Sequence, residues 1–238
     1  MSLARAGDTR WSSHEKTIVR LLALYPSVID VLDYIETSTE IGAHRSQANG
    51  LQIYMKTFNF VFYLHLMKHI LGVTNTLCEA LQRKNQDILN VTELVKSTKE
   101  ELQRYRLEGF DSLLKDVTSF CDKYEIEMVN IEDEYVDPKY RRRKTGITNR
   151  HHYMVNSFNT VLDLQIQEFG NRFNEVLLSI VEVSSILILP ELRARPCSLV
   201  YASFSGGSQA YCMKSLHAVR KILVTQVALV LGMSCMNL

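Results

Sequence analysis

The stretch from Phe58 to Leu81 constrains this chain most. Residues 60–67 are apolar almost without a break, His65 being the exception. A helix that is apolar all round has no face for water and must be wrapped by other elements. The neighbouring segments supply such wrapping. Ser12 and Glu15 form a capping box that opens a helix with Ile18, Leu21, Leu22 and Tyr25 on one face. Pro26 stops it and serves the start of a second helix carrying Val28, Ile29, Val31, Leu32 and Ile35. Residues 38–50, with Gly42, Asn49 and Gly50, read as a loop or a short helix.

Beyond the central segment, Asn85 to Glu108 predicts a charged helix with a narrow seam of Ile88, Val91, Val95, Thr98, Leu102 and Tyr105. Gly109 is expected to interrupt it, with a further helix over Asp111–Tyr124. The acidic stretch Glu125–Asp137 then reads as a linker, followed by Pro138 and the basic run Lys139, Arg141, Arg142, Arg143 and Lys144. A last long helix, capped by Asn149, is expected to run to Leu177 with Val155, Phe158, Leu162, Ile166, Phe169, Phe173 and Val176 on its inner face. The expected class is therefore all-α, an irregular helical array over residues 12–176. Residues 177–238 carry few charges and no sustained period, and are expected to form a divergent tail of doubtful fold.

Composition excludes several functions. A net charge of +1 gives no overall basic character, so nucleic-acid binding has to rest on local patches. The cysteines Cys78, Cys121, Cys197, Cys212 and Cys235 are odd in number and lack CxxC spacing, which points to a reduced intracellular compartment and no zinc module. The most apolar late segment, Ile222–Met236, is too short for a membrane span. His65 and His69 stand four apart, a spacing that suits a shared metal, but no acidic or cysteine partner lies at motif distance; packed or surface histidines are the expectation. His151 and His152 are adjacent and point about 100° apart on a helix, a poor joint site. No nucleophile elbow, metalloprotease helix, phosphate loop or dinucleotide fingerprint is present. A two-metal site among the carboxylates of 125–137 would need a rigid scaffold, which a Pro-flanked linker does not provide. No catalytic residue, metal, cofactor, membrane or small-molecule substrate is expected.

Two local features remain. Trp11, the single tryptophan, follows Arg10 at a helix entrance, where it suits either a core anchor or a partner contact. The cations Arg141–Lys144 suit phosphates, a nuclear-import signal or pairing with the acidic run beside them.

The segment Gly7-Asp8-Thr9-Arg10-Trp11-Ser12-Ser13-His14 resembles the Thr-Arg-Trp signature of hAT-superfamily transposases. Further segments are similar to a plant branch of that family, the zinc finger MYM-type protein 1-like proteins with a TTF-type finger and a dimerisation domain. They are residues 60–68, 80–88, 111–114, 149–153 and 167–173, collinear over about 5–176. The family implies an RNase H-like core with two Asp and one Glu, and a large helical insertion. Residues 1–11 would be a remnant of the core edge, residues 12–176 the helical insertion domain, and Arg10 and Trp11 the pair that assists DNA-end handling. The zinc finger and the Asp/Asp/Glu set find no counterpart in this sequence. The resemblance thus implies a non-catalytic fragment of a domesticated or decayed transposase in the nucleus, otherwise the cytoplasm. Its implied partner is DNA, through Arg10, Trp11, Arg141, Arg142, Arg143 and Lys144. The alternatives are a helical module pairing with itself or a full-length homologue through the 88–105 or 155–176 face, or a pseudogene product without function.

Overall fold

A computed structural model describes residues 12–38, 42–81, 88–136 and 145–172. The tail 177–238 lies outside them. Among the described residues the protein is all-α, with no strand. The helices are α1 (Ser12–Ala23), α2 (Tyr25–Ser38), α3 (Gly42–Met55), α4 (Phe58–Leu81), α5 (Ile88–Lys123), α6 (Asn149–His151) and α7 (Thr160–Arg172), with a π-helix over His152–Asn159 between the last two. None is long and apolar enough to cross a membrane.

The chain divides into two compact units. The described residues of the first are 12–69 and 116–127. Its centre is the first half of α4, where Phe60, Val61, Phe62, Tyr63, Leu64, Leu66 and Met67 are all buried. Burying one such side chain stabilises by about 1.5–3 kcal/mol, so the all-round apolar pattern dictates that this helix sit inside. α1 and α2 meet at Leu24 without a break in hydrogen bonding: the Leu24 N–H donates to the Arg20 carbonyl, and the Val28 N–H to the Leu24 carbonyl. Pro26, lacking an N–H, sits where the new helix needs no donor.

α3 is a full helix where a loop or short helix was expected. Gly50 lowers its intrinsic helicity, but Ala48 and Met55 are completely buried and the Asn49 amide donates to Glu36 on α2. Packing against α2 outweighs propensity. Tyr25 completes this unit: its buried hydroxyl donates to the Met55 carbonyl at 3.0 Å, and its ring meets Phe120 and Tyr124 at 4.9 Å each. Burial raises the Tyr25 pKa above its ordinary value, with Cys121 and Tyr124 adding to the effect. Cys121, the free thiol among the described residues, is buried and pushed up to about 11, first by burial and then by Asp122.

His65 gives the first unit a pH dependence. Its Nδ1–H donates to the Val61 carbonyl at 2.9 Å, and its ring lies edge-on to Phe120 at 5.1 Å. Burial lowers its pKa below 6.5; the Val61 bond opposes the shift, Lys68 reinforces it and Asp116 opposes it. A depressed histidine pKa means that the unfolded chain binds the proton first. Stability is therefore expected to be constant above the ordinary histidine value and to fall with pH below about 6.5, until the folded-state pKa is reached. Urea midpoints between pH 5 and 8 measure this, and His65→Gln should flatten the curve. An unchanged slope in that variant would remove His65 as the cause.

The described residues of the second unit are 70–81, 88–115, 128–136 and 145–172. α5 runs unbroken through Gly109, where an interruption was expected. A Cβ built on Gly109 would lie 2.2 Å from Cδ2 of Tyr105. The glycine therefore makes room for a ring lying along its own helix. The π-helix and α7 run antiparallel to α5: Phe158 of the π-helix packs on Tyr105 and Phe110, and Asp163 of α7 pairs with Arg106. This pair is substantially exposed and contributes little to stability. Val95 and Leu102 on α5, and Phe158, Leu162 and Phe169 on the facing segment, are buried within the chain itself.

Candidate nucleic-acid interface

The acidic linker is an ordered clasp. Asn130 starts it, its Oδ1 accepting from the Glu132 N–H at 3.2 Å and its Nδ2 donating to Asp133 at 3.0 Å. Such side-chain bonds to nearby backbone are what make asparagine a turn former. Residues 131–135 then pair with 147–150. The Tyr135 N–H donates to the Ile147 carbonyl at 2.8 Å, the Asn149 N–H to Asp133 at 2.8 Å and the Arg150 N–H to Ile131 at 2.7 Å. Glu134 and Thr148 form an antiparallel bridge. The Thr145 hydroxyl donates to the Tyr135 carbonyl, and the Gly146 N–H to Glu134 at 3.2 Å. Gly146 has φ +69°, a left-handed conformation that glycine adopts without penalty.

This clasp also starts the final helical run. Thr148, not Asn149, is the cap: its side chain accepts from the His151 N–H at 3.2 Å. Asn149 is the first helical residue, and its amide instead donates to the Asn130 carbonyl at 2.8 Å. His152 stacks on Tyr135, rings 3.6 Å apart and 6° from parallel. Arg150 bonds Asp111 at 3.3 Å and lies 5.7 Å from the Phe110 ring. The local electrostatics are acidic, with Glu132, Asp133 and Glu134 exposed. Two of these carboxylates are engaged within the clasp, Asp133 by Asn130 and Glu134 by Gly146.

The clasp brings Val136 and Thr145 to one place. The residues between them in sequence, 137–144, hold Lys139 and the run Arg141, Arg142, Arg143 and Lys144. Those four candidate contacts, together with Arg10 and Trp11, lie outside the described residues. Asn130, Tyr135, Thr145 and Thr148, which hold the clasp, were not singled out in the sequence; Asn130 with Asp133 three residues on is the turn signal that could have found them. Among the described residues no group of three metal-ligating side chains occurs. The Nδ1–H of His65 is committed to Val61, so that nitrogen has no lone pair for a metal. No family model matches the chain, and no solved structure matches it.

Proposed function

We propose that this chain is a non-catalytic, transposase-derived DNA-binding fragment of hAT type, acting in the nucleus. The observation that carries the reading is the collinear sequence resemblance over residues 5–176. The clasp supports it physically. Tying Val136 to Thr145 shortens the closure of the 137–144 segment, and a cationic segment anchored at both ends loses less entropy on meeting phosphates than a free tail. Arg141, Arg142, Arg143 and Lys144 are the phosphate contacts in this reading. Arg10 and Trp11 are the stacking contacts at DNA ends. In this reading the chain carries no Asp/Asp/Glu set and is expected neither to nick nor to join DNA.

Fluorescence anisotropy with a labelled duplex tests this directly. Four phosphate contacts predict that log K falls with log salt with a slope of about −3.6. Replacing Arg141, Arg142, Arg143 and Lys144 together by alanine should abolish most of that slope. An unchanged slope, or no binding by the unmodified chain at low salt, refutes the reading. Incubation with Mg²⁺ or Mn²⁺ should leave the duplex intact.

A further inference from the structure

The basic run ends on a threonine. Arg142-Arg143-Lys144-Thr145 places arginines two and three residues before a hydroxyl, and Thr145 is the one Ser or Thr of the sequence with that arrangement. A serine/threonine kinase whose substrate cleft is lined with carboxylates binds such a run in extended form, a guanidinium pairing bidentately with a carboxylate at each arginine. Recognition of this kind depends on the order of residues in the run.

The structure presents this hydroxyl at the mouth of the clasp. Thr145 is half-buried in irregular backbone. Its hydroxyl donates to the Tyr135 carbonyl, and the next N–H, of Gly146, donates to the Glu134 carboxylate at 3.2 Å. Thr37, Thr74, Thr76 and Thr98 differ: each lies within a helix and bonds the carbonyl four residues back. Helical backbone does not fit an extended substrate cleft. Thr145 and Gly146 can peel away locally, while the N–H bonds of Asn149 to Asp133 and of Arg150 to Ile131 stay made.

We propose that Thr145 is a phosphorylation site for an arginine-directed serine/threonine kinase, and that the phosphate releases the mouth of the clasp and counters the cations beside it. In the transfer, Oγ1 of Thr145 attacks the γ-phosphorus of Mg-ATP. The bond from that phosphorus to the oxygen bridging it to the β-phosphate breaks, ADP leaves, and the hydroxyl proton passes to the carboxylate base of the kinase. Oγ1 then has no proton to give to Tyr135. The new charge of about −1.5 to −2 lies next to Glu134 in sequence-paired backbone, with Glu132 and Asp133 also exposed. The lost donor and the like-charge repulsion both act against closure. The same charge offsets about two of the four cations in Arg141–Lys144. That effect on DNA rests on the DNA-binding reading; the modification itself does not.

Incubating the full chain with Mg-ATP and the catalytic subunit of a cyclic-AMP-dependent protein kinase tests the proposal. Mass spectrometry should place the phosphate on Thr145. Thr145→Ser should accept it and Thr145→Ala should not, and Arg142→Ala with Arg143→Ala should slow incorporation about 10–100-fold. In the phosphorylated chain the Tyr135 and Gly146 amides should exchange with solvent at least about tenfold faster, with Leu102 in α5 unchanged. The salt slope of duplex binding should fall from about −3.6 to about −1.8. No phosphate on Thr145, or incorporation indifferent to loss of both arginines, overturns the site. Unchanged exchange at Tyr135 and Gly146 overturns the release of the clasp. A slope unmoved by the phosphate overturns its effect on DNA. If the unmodified chain binds no duplex, the DNA-binding reading fails, and incorporation and exchange still decide the site.

Discussion

Replacing Phe158 by alanine is expected to cost about 3–5 kcal/mol, the range for deleting a fully buried aromatic ring. Phe158 is completely buried between Tyr105 at 5.1 Å and Phe110 at 5.6 Å. It packs the π segment onto α5. Its loss removes the transfer energy of the ring and two edge or tilted aromatic contacts, each contributing about 0.5–1.5 kcal/mol. A domain of ordinary stability has only about 5–15 kcal/mol in all. Urea unfolding followed by tyrosine near-ultraviolet dichroism is the measurement, since Tyr105 reports directly on this cluster. Phe158→Leu should retain most of the stability. A cost under about 1 kcal/mol for the alanine variant would show that the cluster does not hold the second unit.

Gly109→Ala is expected to destabilise by about 1–3 kcal/mol, opposite in sign to the usual effect. Within an exposed helix the same change stabilises by roughly 1 kcal/mol, because glycine carries the larger backbone entropy. Here the new Cβ would lie 2.2 Å from Cδ2 and 2.8 Å from Cγ of Tyr105. The ring packs against Phe158, so moving it disturbs the cluster just described. A double-mutant cycle isolates the cause. In a Tyr105→Ala background the clash is gone, and Gly109→Ala should become neutral or stabilising. A destabilisation that survives in that background would assign the effect to something other than the ring.

These two residues show where sequence reasoning succeeds and where it stops. Phe58–Leu81 is legible to the residue, because a continuous apolar run leaves a helix no choice but burial. Gly109 is visible in the sequence, but its meaning is not. A glycine reads as a helix break, and only the ring of Tyr105 lying across it turns that into a packing requirement. α3 is the same lesson in reverse, since Gly50 stays helical because Ala48 and Met55 are buried. Of the clasp only the Asn130–Asp133 turn carries a local signal; the bonds that close it join residues distant in sequence, such as Asn130 and Asn149. The predicted contacts Arg10, Trp11 and Arg141–Lys144 rest on resemblance and charge pattern. The structure contributes the joined stems on either side of the basic run.

The sequence by itself determined the helical class and the identity of the central helix. Apolar periodicity and an all-round apolar run are local properties, and burial energy follows them directly. The tertiary structure alone decided register and continuity: that α5 passes through Gly109, that Thr148 caps the final run, and that Gln165 faces inward in place of Ile166. Spacing of three and four leaves one residue of freedom wherever a π turn can absorb it, and only packing against another helix selects which residue goes inside.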